Sequence, residues 1–214
     1  MTAPQANTFG RFLGDPRVDK TIAVIASLPV AYVVYVRLHQ GTFDIVRTNL
    51  IFQGLLLIVT MVARRSPVRV TMNPWFWLLA FVATYWVTLT AIAAAPGTPL
   101  VPRWFTVALS WLGLGIMVYA RLSLGRNIGF VPAQRQLVMT GAYGVVRHPI
   151  YTAAFVNYLA LVLLHYSRGK LVLVTLGVLW FVVKSFVEER FLALDPEYAA
   201  YMHRVRRRWI PGMV

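Results

Sequence analysis

Two short clusters of polar residues stand at the mouths of apolar stretches. In Arg147-His148-Pro149-Ile150-Tyr151, a guanidinium, an imidazole and a phenol crowd the start of a run that opens at Pro149. Proline suits the first position of a helix, where its missing N–H costs nothing, and the next amides have no partner within the helix. Such a helix start is a ready seat for a carboxylate or a phosphate, and Tyr143 and Tyr151 could pack on a flat ring. The second cluster is Glu188-Glu189. Adjacent acids at the end of an apolar run are costly unless paired or used. A carboxylate there could accept hydrogen bonds from sugar hydroxyls or sit near a cationic centre. Lys184, four residues before Glu188, falls on the same helix face. The plainer alternatives are an interfacial arginine, a capping histidine, two membrane-belt tyrosines and a surface Lys–Glu pair worth a few tenths of a kcal/mol.

Other chemistries have little to stand on. The chain has no cysteine, so no disulfide, thiolate metal site or cysteine nucleophile is available. Its histidines, His39, His148, His165 and His203, lie far apart, and no metal site is expected. No G-x-G-x-x-G turn marks a soluble nucleotide-binding fold, and Gly125-Arg-Asn-Ile-Gly129 is a poor substitute.

The elements that must carry these clusters are apolar helices. Of the 214 residues, 58% are hydrophobic and 13% charged, with a mean hydropathy of +0.63. A soluble domain is about a quarter charged, so this chain has too few charges to cover a water-facing surface. Six apolar stretches stand out: Thr21–Val36, Thr48–Ala63, Pro74–Ala95, Trp104–Ala120, Pro149–Leu164 and Leu171–Val187. Crossing a bilayer core takes roughly 20 residues, with a lower limit near 17, so several are short unless flanking residues join them. The expected architecture is all-α: a multi-pass transmembrane bundle of about six spans, the last two a short hairpin, followed by a cytoplasmic C-terminal helix.

The net charge of +14 could suggest a nucleic-acid partner. With both termini placed in the cytoplasm, however, Arg37, Arg47, Arg103, Arg168 and Lys170 fall outside and the other sixteen basic residues fall inside. That asymmetry is what the positive-inside rule demands, and no nucleic acid is needed to explain it. The polar first 20 residues are long for a signal-peptide head, and the first span is expected to be retained. Arginine outnumbers lysine 18 to 3, in keeping with a GC-rich genome and a bacterial inner membrane.

The chain changes character near residue 120. Residues 1–120 are expected to form an N-terminal segment and scaffold helices, and residues 121–214 a functional core of loop, hairpin and tail. Arg121–His148 is too long for a minimal helix connection. In the tail, Asp195-Pro196-Glu197 predicts an N-cap and a first turn. Tyr198, Tyr201, Met202 and Val205 then make one apolar stripe. The basic residues Arg204, Arg206, Arg207 and Arg208 suit contact with anionic lipid.

Gly141-Ala142-Tyr143, Arg147-His148-Pro149-Ile150-Tyr151, Glu188-Glu189 and a Tyr198-x-x-Tyr201…Arg204-Val205…Pro211 tail together resemble the isoprenylcysteine carboxyl methyltransferase family. These integral-membrane methyltransferases look related to phospholipid N-methyltransferases. The resemblance covers about residues 119–212 and implies S-adenosylmethionine (AdoMet) as cofactor. Carried over by position, the cofactor contacts are Arg135, Gln136, Leu137, Val138, Tyr143, His148, Pro149, Ile150, Tyr151 and Glu188. The family's substrate-contacting basic residue, usually arginine, corresponds to Lys184, which replaces a planar clamp with a point charge. Lys184 and Arg147 are expected to orient the acceptor.

The function implied is methyl transfer from AdoMet to a lipophilic acceptor at the cytoplasmic face. The acceptor would be a lipophilic small molecule or prenylated substrate, with either a carboxylate or an amine as nucleophile. Membrane lipids are the expected partners, with no nucleic acid and no obligate protein partner. A sterol-reductase-like enzyme using NADPH and a non-catalytic membrane scaffold or transporter are the alternatives.

Overall fold

The computed structural model describes residues 15–39, 45–93, 97–129 and 131–210. Pro211 of the tail motif lies outside them, as do residues 94–95 of the third apolar stretch. Among the described residues seven α-helices follow in order: α1 (Pro16–His39), α2 (Ile45–Ala63), α3 (Pro74–Ala93), α4 (Arg103–Leu124), α5 (Pro149–Leu164), α6 (Arg168–Leu192) and α7 (Pro196–Arg204). Among the described residues three helices, α1, α4 and α6, are long and apolar enough to cross a membrane, with α4 counted together with its short 3-10 extension to Asn127. The 16-residue α5 is a shorter apolar helix. Helices outrun the apolar stretches because their ends carry charge: α1 takes in Arg17, Asp19 and Lys20 before its first apolar turn.

The helix starts follow the local chemistry. Asp15 caps α1 by accepting from the Arg17 amide at 2.7 Å, and Ser167 caps α6 by accepting from the Lys170 amide at 3.1 Å. Asp195 caps α7 through the Glu197 amide at 3.0 Å, with Pro196 as the first helical residue. Each cap satisfies an amide that the helix itself leaves open.

The loop between α4 and α5 is more structured than its sequence suggests. It opens with a 3-10 turn, Gly125–Asn127, and closes with another, Gly141–Gly144. Between them β2 (Ala133–Gln134) pairs antiparallel with β1 (Arg69–Val70) from the α2–α3 connection, a strand pair that an all-helical reading omits. The Arg65 amide donates to the Arg126 carbonyl at 2.7 Å, and Arg135 Nε donates to the Arg65 carbonyl at 2.9 Å. Behind this join, Arg64 grips Asp19 of α1, Nη2 to Oδ1 at 2.7 Å and Nε to Oδ2 at 3.2 Å, with both side chains buried. The N-terminal helices thereby fix the loop that leads into α5.

Candidate active site

Glu189 is the hub of the charged end. Its carboxylate accepts from Arg147 Nε at 2.7 Å and Nη2 at 3.3 Å, from His148 Nε2 at 3.0 Å, and from Arg208 Nε at 2.9 Å. A carboxylate only accepts, so His148 carries its proton on Nε2. Three partners from two separate segments satisfy a carboxylate that is almost wholly buried. This is the condition under which a buried charge is tolerated.

The same network straps the tail across the start of α5. Arg147 Nη1 donates to the Val205 and Arg206 carbonyls at 2.7 and 2.8 Å. The Arg147 and His148 amides donate to the Arg207 and Arg208 carbonyls, each at 2.9 Å, and Thr152 Oγ1 donates to the Trp209 carbonyl. Inside this strap, the predicted stripe of α7 buries Tyr198, Tyr201 and Val205 against Leu137, Met139 and Leu192. Tyr201 Oη then holds the Tyr143 carbonyl at 2.7 Å.

Glu188, one residue along the helix, faces a different way. Its Oε2 accepts from Tyr151 Oη at 2.6 Å and lies 3.9 Å from His148 Nδ1. Its Oε1 lies 3.6 Å from Lys184 Nζ. The Lys184 ammonium also stands over the Tyr151 ring, 5.6 Å from its centroid, and the Tyr151 ring is stacked on His148 with centroids 5.1 Å apart. Where Glu189 is consumed by structure, Glu188 keeps part of its carboxylate open.

These groups share a cavity of about 350 Å³, within the size range usual for small-molecule sites. His148 and Glu188 both line it, as do Arg135, Gln136, Leu137, Val138, Tyr143, Arg147, Ile150, Tyr151 and Lys184. Of the residues expected to contact cofactor or acceptor, Pro149 alone is off the wall; it is buried as the first residue of α5. Burial pushes the Tyr143 phenol far above its ordinary range; Tyr201 and Glu188 add to the effect and Arg121 opposes it. Tyr143 is therefore a neutral donor at any physiological pH. Burial and the neighbouring Arg64 push Arg135 down to about 10, against the pull of Asp19.

One expectation is corrected. The helix start at Pro149 is not an open seat for an anion. The Tyr151 and Thr152 amides turn back to the His148 carbonyl at 3.0 and 3.1 Å, and the tail carbonyls occupy the Arg147 and His148 amides. The arginine beside it is likewise engaged, its guanidinium shared between Glu189 and the tail.

Sequence reasoning missed several contributors. Glu189 carried no separate role, and Arg208 was only one of four tail arginines. Asp19 had a signal: it is one of only seven acidic residues, set at the foot of an apolar span. Asn127 had none. Its Oδ1, like Arg135 Nη1, is buried without a partner, and both residues line the cavity.

Set beside known families, this segment finds one. Residues 101–195 match the phospholipid methyltransferase family model. The matched segment covers a little under half of the chain and contains α4, the structured loop, α5 and α6, hence both His148 and Glu188. It agrees with the resemblance carried by the sequence motifs and supports a membrane methyltransferase in general. No curated protein matches the chain.

Proposed function

We propose that the protein is an integral-membrane methyltransferase that moves a methyl group from AdoMet to a lipophilic acceptor at the cytoplasmic membrane face, with both termini on that side. The observation that carries this reading is the shared wall: His148 and Glu188, distant in sequence but both inside the segment that matches the methyltransferase family, border one cavity. Residues 121–214 form the cofactor-binding core in this reading, and residues 1–120 form the scaffold.

The residues fit AdoMet on chemical grounds. Glu188 offers an acceptor, held in place by the Tyr151 hydroxyl, for the cofactor's hydroxyls and faces its positive charge. Arg135 Nη1 and Asn127 Oδ1, one donor and one acceptor without partners, suit a group bearing both a carboxylate and an ammonium. Tyr143, Tyr151 and His148 give flat surfaces for a purine, and Gln136, Leu137, Val138, Pro149 and Ile150 complete the surroundings. AdoMet supplies an electrophilic methyl on a sulfonium whose charge disperses on transfer. What the chain must provide is alignment of acceptor and methyl in a space poor in water. Lys184, buried and only loosely paired with Glu188, orients the acceptor from inside the bundle. Arg147 acts through Glu189, by holding the tail closed over the start of α5.

The test is transfer of a tritiated methyl from AdoMet into the organic-soluble fraction of a membrane extract by purified protein. Counts that depend on the protein and fall to background with Glu188→Ala support the reading. Equal counts from wild type and variant overturn it. A parallel thermal-shift comparison of AdoMet with NADPH separates methyl transfer from reduction.

A further inference from the structure

The cavity does not stop at the charged end. From Met61 near the loops it follows α2 back to Asn49, twelve residues or about 18 Å at 1.5 Å per residue. It also follows α5 from Ile150 to Leu161, nearly as far. A bilayer core is about 30 Å thick, so this run is longer than half that thickness. Along this run most of the wall is apolar, with Val30 and Val34 from α1, Leu57 and Met61 from α2, and Met117 from α4, though Arg121 of α4 and Asn157 of α5 also line it. Gly54 brings α1 close, since a Cβ there would lie 2.7 Å from the Val34 side chain. The far end turns polar. Asn49 Nδ2 donates to the Ser110 carbonyl at 2.8 Å and to its hydroxyl at 2.6 Å, and Gln53 donates to Asn49 Oδ1 at 2.6 Å.

We infer that this arm holds the apolar tail of the acceptor. A single flexible chain lies between α1, α2 and α4, with its reactive head at Lys184 and Glu188 and its end against the Asn49–Gln53–Ser110 cluster. The inference rests on the methyl-transfer reading only for what happens at the head. Three features support a chain over other occupants. The arm is continuous with the candidate active site. It is long and apolar, so a compact polar acceptor would leave most of its wall bare, at a cost of roughly 25 cal/mol for each Å² of apolar surface not covered. It ends in polar groups that already satisfy one another, which gain nothing from methylene groups and so set a length limit, about that of an extended tetradecyl chain. The part of this wall that comes from α1 and α2 lies outside residues 101–195, so a part of the chain separate from the methyltransferase-like segment helps select the acceptor's tail.

The test uses two photoreactive tetradecanoic acids on the full-length protein in nanodiscs, saturated with S-adenosylhomocysteine. One bears its diazirine at the terminal carbon, the other beside the carboxyl group. The terminal probe is expected to label the cavity-lining residues Val30, Val34, Asn49 or Gln53, and the other probe Phe181, Lys184 or Glu188. Leu57→Trp should abolish labelling of Asn49 and Gln53 by the first probe and leave labelling by the second unchanged. Labelling by the terminal probe confined to lipid-facing residues such as Phe52, Leu55 and Val59 overturns the inference, as does a Leu57→Trp pattern identical to wild type. Calorimetry with S-adenosylhomocysteine on the same sample keeps the two readings apart. Arm labelling without nucleoside binding upholds the arm and removes the methyl-transfer reading, and binding with only lipid-facing labels does the reverse.

Discussion

Replacing Glu189 with alanine should release the tail without emptying the neighbouring carboxylate site. In the folded protein Glu189 neutralises Arg147, which is buried, and Arg208, which is partly exposed, and it accepts the His148 Nε2 proton. Removing one partner of a buried ion pair costs about 3–5 kcal/mol. The partial exposure of Arg208 argues for the low end, so about 3 kcal/mol is expected. The loss falls on the strap, because the amides of Arg147 and His148 are covered only by the Arg207 and Arg208 carbonyls. Local opening exposes those amides to solvent. At 1.4 kcal/mol per factor of ten, their hydrogen-exchange protection should fall by about two decades. Glu188→Ala, one residue away, should leave both amides protected and weaken AdoMet binding instead. Unchanged exchange at Arg147 and His148 in Glu189→Ala, or equal loss in both variants, would refute this division of labour.

Further predictions follow from single contacts. Tyr151→Phe removes the 2.6 Å hydrogen bond to Glu188; hydrogen bonds to charged groups contribute about 1.5–3 kcal/mol, so titration calorimetry should show AdoMet binding at least about tenfold weaker. Lys184→Met should raise the KM for the acceptor while the AdoMet dissociation constant stays put, and a change confined to AdoMet would contradict its placement at the acceptor. Asp19→Ala leaves Arg64 buried without its carboxylate and Arg135 without a nearby one. It should cost about 3–5 kcal/mol of stability, seen as a clear drop in Tm in detergent; an unchanged Tm would show the cluster to be dispensable.

Much of the charged end was legible in the residues themselves. Pro149, Asp195-Pro196 and the Tyr198–Val205 stripe each follow from local rules, since caps and apolar periodicity act over a single helical turn. The Lys184–Glu188 approach came from helical spacing alone. What stayed hidden depends on distant segments meeting. Neither Arg69 nor Gln134 announces a strand, because two-residue pairing is decided by how the loops are anchored and not by β-propensity. The difference between Glu188 and Glu189 was invisible for a similar reason: adjacent residues on a helix point about 100° apart, and only the position of the tail decides which one it covers. The anion seat expected at α5 failed because the Tyr151 and Thr152 amides turn back to the His148 carbonyl, while tail carbonyls take the two amides just before Pro149. The arm toward Asn49 lies between helices that looked like scaffold, and apolar side chains lining a cavity read no differently from those facing lipid.

The central claim is that Glu188 and His148 belong to one cage for AdoMet. Titration calorimetry of S-adenosylhomocysteine and AdoMet into purified wild type, Glu188→Ala and His148→Ala tests it most directly. The account predicts saturable binding of both ligands to wild type and a marked loss of affinity in each variant. Absence of binding to wild type, or binding that neither substitution alters, would contradict it.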